Sequence, residues 1–161
     1  ISKAIYNSIA FQFEGSCFLA NVRETSQRNS GMIKLQNTLL SKILGHIVMV
    51  DDVDTGITMI KKRLCSKRIL LILDDVDDKL VQLDKLAGKV DWFGLGSRII
   101  ITTRDRKVLT NHGRVVDDLI YKVKELDWDK ASELFCWNAF HRDQPTDDFL
   151  EVTKDAIHYA G

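Results

Sequence analysis

The chain has 161 residues, 45% of them hydrophobic, which is enough to enclose the core of one ordinary α/β domain. Lys plus Arg and Asp plus Glu each number 23, so the formal net charge is zero and composition supplies no electrostatic pull towards nucleic acid or an anionic membrane. Cys17, Cys65 and Cys136 are odd in number, far apart and outside any C-x-x-C pair; this argues against a disulfide framework or structural zinc, and all three are expected in the core.

No apolar run reaches the length that spans a bilayer and no secretory leader opens the chain, so the expected setting is cytoplasmic; the nucleus is a second option that these features leave open. The chain opens on an amphipathic helix, with Ile1, Ala4, Ile5, Ser8 and Ile9 along one stripe. "SCFLANV" then reads as a short strand after the turn at Glu14-Gly15. Ser30 is placed to cap a helix carrying Met32, Leu35, Leu39, Leu40 and Ile43, which Gly45 ends. The acidic "VDDVDTG" reads as a solvated loop, since its glycine offset and missing glutamate fail the calcium-loop template. "ITMIKKRLC" is a further helix. Arg68 to Leu73 is a buried strand, after which Asp77 or Asp78 caps a helix with Leu80, Leu83 and Leu86, ended by Gly88.

"GSRIIITTR" repeats the layout of glycine turn, β-branched strand and polar end. A short helix from Asp105 to Gly113, a strand at "LIYKV", and helices from Asp129 and Thr146 complete the order. Of Trp128, Phe135, Trp137 and Phe140, three stand at near-helical spacing, which favours a core over an exposed partner surface. Strands alternating with helices at this interval imply a parallel sheet with helices on both faces. The four histidines show no ligand spacing. A final helix running into Gly161 and an opening without methionine lead us to expect an internal piece of a longer protein.

Two strands end in chemistry. Ile69 to Leu73 delivers Asp74 and Asp75; Ile99 to Ile101 delivers Thr102, Thr103 and Arg104. In an open parallel sheet, ligands bind beyond the carboxyl ends of the strands, where helix N-termini also point. Carboxylates and a guanidinium gathered there suit a Mg²⁺-phosphate site: one aspartate for hydrated magnesium, a second to orient an attacking water, and the arginine for phosphate charge. An apolar strand ending in aspartate is the Walker B layout. Each residue also has a plainer role, since aspartates cap helices, threonines favour strands and arginines decorate surfaces. No G-x-x-x-x-G-K-[ST] phosphate loop occurs among the nine glycines. In such folds that loop lies between the first strand and first helix, and this chain begins at a helix.

The assembled motifs resemble the nucleotide-binding (NB-ARC) domain of plant disease-resistance proteins, of the class with an N-terminal TIR domain. "ISKAIYNSIAFQFEGSCFLANVRE" is similar to the helix after the phosphate loop and the block that follows it. "RILLILDDVDD" resembles the Walker B segment, with Asp77 where the non-TIR class typically has tryptophan. "GSRIIITTRD" resembles the sensor strand, "YKVKELDWDKASELFCWNAF" the next block, and "YAG" the approach to G-L-P-L-A. One departure is Leu95, where proline is commoner; it should loosen a turn without touching the site.

The resemblance implies a P-loop NTPase-type (STAND) α/β fold lacking its first strand and phosphate loop over residues 1–123, and the start of a helical ARC subdomain over 124–161. It implies an ADP/ATP switch with Mg²⁺ in an intracellular immune receptor. ADP marks the resting form and ATP the signalling form, with intramolecular TIR and leucine-rich-repeat partners and oligomerisation on activation. Carried onto matching positions, Asp74 is the Mg²⁺-associated aspartate and Asp75 the catalytic carboxylate. Thr103 and Arg104 then bind nucleotide, Arg104 sensing the γ-phosphate. Hydrolysis would be slow, and the piece alone would bind nucleotide poorly. Two rival readings are an interaction module with a vestigial site, and a receiver-type phospho-acceptor domain. The second needs its acidic pair after the first strand, where "SCFLANV" ends without acid.

Overall fold

A computed structural model describes residues 1–77, 82–110, 115–145 and 147–160. Three apolar runs form parallel strands, β1 (Gly15–Leu19), β2 (Ile69–Leu73) and β3 (Arg98–Ile101), in the spatial order β1-β2-β3. The register sets Leu19 beside Leu73 and Leu73 beside Ile101, so the strands finish level with one another. All five residues of the central strand are fully buried. A side chain so placed contributes roughly 1.5–3 kcal/mol through burial, which makes β2 the rigid member of the sheet. The parallel sheet with flanking helices is the α/β architecture expected from the alternating pattern.

Alternation along the strands divides the two faces. Helix α1 (Ser2–Ile9) lies on the face of Ser16 and Phe18, where Tyr6 packs edge-on against Phe18 at 5.8 Å between ring centroids. On the opposite face, Cys17, Leu19, Ile69, Leu71 and Leu73 join the main core with α2 (Val22–Gln27), α3 (Gly31–Leu44), α4 (Val53–Leu64) and α5 (Gln82–Leu86). Helix α3 turns Met32, Leu35, Leu39, Leu40 and Ile43 inward. Its buried Gln36 donates from Nε2 to the carbonyls of Val53 and Lys85, tying α3 to the start of α4 and to α5. Gly45, at φ 74°, ends α3 in the left-handed conformation that its lack of a Cβ permits. Burial pushes the Cys17 thiol up to about 12, as befits a core residue; all three cysteines are free, but Cys65 is exposed at the end of α4.

Several local expectations are corrected. "VDDVDTG" is not all loop: Asp52 accepts a hydrogen bond from Thr55 N at 2.8 Å, and α4 begins at Val53, four residues before "ITMIKKRLC". The side-chain cap outcompetes the turn propensity of the acidic run. Ser30 precedes α3 but at φ 55°, a geometry in which its hydroxyl caps nothing; its carbonyl accepts from Lys34 N instead. "LIYKV" forms no strand: Leu119 ends a 3-10 turn (Asp117–Leu119), residues 120–123 join no ladder among the described residues, and Tyr121 stands largely in solvent. Helix α6 (Lys107–Thr110) follows Asp105, whose Oδ1 accepts from Lys107 N; its expected end at Gly113 lies outside the described residues. So do Asp78 and Leu80 of the helix after β2, Thr146, and Gly161. Leu95 sits fully exposed in the turn before β3, at the end of the strand away from its acidic neighbours.

The chain divides into two compact units, Ile1–Asp117 and Asp118–Gly161. In the second, α7 (Trp128–Phe140) is capped by Asp127, two residues ahead of the expected Asp129, and packs on α8 (Leu150–Ala160). Cys136, Thr153 and Ile157 are buried in this unit. Trp128 and Trp137 remain about half exposed rather than forming core, since two helices bury only one stripe of each other.

Candidate functional site

The level ends of the three strands determine what meets beyond them. The backbone of Asp75 adopts φ 56° and that of Asn21, just past β1, φ 50°. Left-handed backbone at a non-glycine residue costs on the order of 1–3 kcal/mol and clusters at functional sites. Here the two turns are stitched together: Val22 N donates to the Asp74 carbonyl at 2.9 Å and Arg23 N to that of Asp75 at 3.0 Å. Thr102 continues the seam, with its N donating to the Leu73 carbonyl and its own carbonyl accepting from Val76 N. The β1–β2–β3 tips are thus one hydrogen-bonded rim.

Asp74 lies at the centre of that rim. Its Oδ1 accepts from Thr102 Oγ1 at 2.8 Å and from Ser2 Oγ at 2.9 Å, the latter belonging to the first residue of α1. The positive end of a helix is therefore held against the carboxylate. Among the described residues, no hydrogen bond or ion pair reaches Asp74 Oδ2. No group of three or more His, Cys, Asp or Glu side chains is disposed to enclose a metal among these residues. One carboxylate with a free oxygen, surrounded by hydroxyls, suits Mg²⁺ better than a caged cation, because Mg²⁺ keeps waters and shares its shell with phosphate.

Asp75 is engaged differently. Its Oδ2 pairs with Arg23 Nη2 at 3.0 Å and its Oδ1 with Arg104 Nη2 at 3.3 Å, while its backbone N donates to Thr102 Oγ1 at 2.9 Å. The carboxylate is thus bridged by two guanidinium groups. Asp74, Asp75 and Arg104 come together as the sequence suggested. Thr103 stands apart: its hydroxyl donates to the Val76 carbonyl at 2.8 Å and accepts from Asp105 N at 3.1 Å, bracing the loop that carries Arg104.

Two residues escaped the sequence reading: Ser2 and Arg23 each read only as one letter of a quoted block. Thr102 was placed at its strand end with Thr103 and Arg104 but was given no role of its own. The signal for Arg23 was available: the rule that chemistry gathers beyond strand ends applies to β1 as much as to β2, and Arg23 lies four residues past it.

Comparison with known proteins places the chain in a family. The NB-ARC domain family matches residues 2–145. The chain is 37% identical over 166 residues to TMV resistance protein N of Nicotiana glutinosa, covering 99% of this chain and 14% of that protein. It is 42% identical to Disease resistance protein RPV1 of Vitis rotundifolia, covering 99% of this chain and 11% of that one. It is 36% identical to Probable disease resistance protein RPP1 of Arabidopsis thaliana, covering 100% and 13%. The chain thus spans 11–14% of the length of these relatives. No helix among the described residues is long and apolar enough to cross a membrane.

Proposed function

Because the chain belongs to the NB-ARC domain family, we propose that it is the nucleotide-binding module of a plant immune receptor, switching between ADP-bound and ATP-bound forms. The observation that carries this reading is the junction at Asp74, where a central buried strand, a threonine from its neighbour and the N-terminus of α1 converge on one carboxylate, one of whose oxygens has no partner among the described residues. Asp74 would hold hydrated Mg²⁺. The metal, when bound, would supply charge neutralisation on the phosphates. The N-terminus of α1 favours an anion beside Asp74.

Asp75 is our candidate catalytic carboxylate and Arg104 the γ-phosphate sensor. Arg104 is 72% exposed on its side chain and pairs with Asp75 across 3.3 Å, so its present contact is weak and easily given up. A third phosphate near Asp74 offers it a stronger, doubly charged partner. A ligand shifts a conformational balance only by as much as it binds the two forms unequally, and Arg104 supplies that inequality. Thr103 serves by bracing the Arg104 loop as well as through any direct contact with nucleotide.

In this reading residues 1–123 are the nucleotide-binding subdomain and 124–161 begin a helical ARC subdomain. TIR and leucine-rich-repeat segments flank them in the parent protein, which is cytoplasmic with a nuclear pool and oligomerises on activation. The runner-up, an interaction module with a vestigial site, is disfavoured by the completeness of the Asp74–Asp75–Arg104 cluster.

Two experiments bear on the proposal. Within the stretch of about thirty codons upstream of Ile1, the reach of one βαβ element, the coding sequence should encode G-x-x-x-x-G-K-[ST] directly before Ile1. Its absence would favour the interaction module. In the full-length protein, Arg104→Ala should reduce the preference between ATP and ADP by about tenfold, a shift of the size typical of coupled sites. Competitive binding of the two nucleotides measures it; an unaltered preference would remove the sensor role.

A further inference from the structure

Asp75 has two arginines, and the proposed switch uses only one. Arg23 is the more firmly held. Its side chain is 38% exposed against 72% for Arg104, its ion pair is shorter at 3.0 Å, and its backbone N is fixed on the Asp75 carbonyl. A half-buried polar chain reaches its backbone carbonyl. Asp77 N donates to Gln82 Oε1 at 3.0 Å, Gln82 Nε2 donates to Ser26 Oγ at 2.8 Å, and Ser26 Oγ donates to the Arg23 carbonyl at 2.9 Å. Gln82, at its centre, is 1% exposed, and Asp77, Ser26 and Arg23 are half-buried; a satisfied polar network of this kind rigidifies what it joins. The segment after β2 and the first turn of α2 are therefore tied to each other by both backbone and side-chain hydrogen bonds.

We infer that Arg23 is a positioning residue of the switch: it permanently holds one oxygen of Asp75, so that Arg104 can leave the other for a phosphate without stripping the carboxylate of its counter-ion. The inference rests on the nucleotide-switch reading above. Its logic is competition for one negative charge. With Arg23 in place, Asp75 divides its attraction between two cations, and the exposed Arg104 is lightly bound. Without Arg23, the whole charge falls to Arg104, and releasing it would leave an unpaired, partly buried carboxylate. The resting arrangement would then be favoured and ATP would be disfavoured relative to ADP.

The test uses the full-length protein carrying Arg23→Gln, Arg23→Lys, Arg104→Gln, or Arg23→Gln with Arg104→Gln. Arg23→Gln should weaken Mg²⁺-ATP binding relative to ADP by about fivefold, at the low end of ordinary coupling between sites. Arg23→Lys, which keeps the charge, should recover most of that loss. Arg23→Gln should change nothing further in the ATP-to-ADP ratio once Arg104 is glutamine. A nucleotide-free readout accompanies these: Arg104→Gln should lower the melting temperature more in the Arg23→Gln background than in the wild type, the non-additivity of residues sharing a partner. Equal weakening of both nucleotides by Arg23→Gln, or an identical melting shift in the two backgrounds, would overturn the positioning role. A preference that responds to Arg104→Gln but not to Arg23→Gln would overturn this inference alone. A wild-type protein that binds neither nucleotide would overturn it together with the switch.

Discussion

Asp74→Ala is expected to weaken Mg²⁺-ATP binding by the full-length protein by at least about a hundredfold, because even groups that only support a metal's ligands cost 10–100-fold when removed. ADP binding measured without metal should change little. The argument is geometric: Asp74 is the carboxylate on which the tip of the buried strand, Thr102 and the N-terminus of α1 all converge, and among the described residues nothing pairs with its Oδ2, which suits a cation's water shell. Alanine also strands the Ser2 and Thr102 hydroxyls, so Asp74→Asn is the needed companion. Asparagine keeps an acceptor oxygen for both hydroxyls and removes only the charge. The same metal-dependent loss in both variants, with melting temperature preserved in Asp74→Asn, is the expected result of calorimetric titration. Wild-type affinity for Mg²⁺-ATP in either variant would contradict the assignment.

The largest effect on stability is expected at Gly31, which lies at the joint between α2 and α3. A Cβ there would sit deep inside the contact radius of the Thr25 carbonyl oxygen, a backbone atom that no side-chain rotation can move aside. Gly31→Ala should therefore cost about 3 kcal/mol and lower the melting temperature of this chain by roughly 10 °C. The consequence reaches the site, because pushing α2 away strains the seam that holds Val22 and Arg23 on the carbonyls of Asp74 and Asp75. Thermal unfolding followed by circular dichroism measures the stability term. An unchanged midpoint would show that α2 yields freely, and would undercut the view of the rim as one rigid piece.

How much of this was legible in the sequence depended on where the information lies. The run from Ile69 to Leu73 declared itself as a buried strand because every residue in it is apolar and flanked by charge, and its position fixed Asp74 and Asp75 at a sheet edge. Helix α3 was legible for the matching reason, an apolar stripe that ends in glycine. Helix α2 was not: "VRETSQ" carries a single apolar residue, Val22, so no period exists to detect, and tertiary hydrogen bonds to the β2 tip hold it. "LIYKV" failed in the opposite sense. Its residues favour strands, but a strand is a pairing, and pairing is not a local property.

The site divided along the same line. Asp74, Asp75 and Arg104 stand directly at the ends of strands visible in the sequence, so they could be named in advance. Ser2 and Arg23 reach the site only because α1 and α2 are folded back onto the rim, a fact of topology and not of spacing. The exchange of roles between the two threonines is subtler. Successive side chains of an extended segment point to opposite sides, and which of Thr102 and Thr103 faces the carboxylates is set by the register of β3 against β2.

The central claim is that this rim holds an adenine nucleotide. The most direct measurement is the nucleotide content of the full-length protein as purified, released by acid and identified by chromatography. The account predicts ADP in an amount close to one per chain, retained by Asp74→Ala while its uptake of Mg²⁺-ATP is lost. Purified, folded protein that carries no adenine nucleotide and takes none up from Mg²⁺-ATP would contradict it, and would leave the strand-end cluster as a structural clasp of an interaction module.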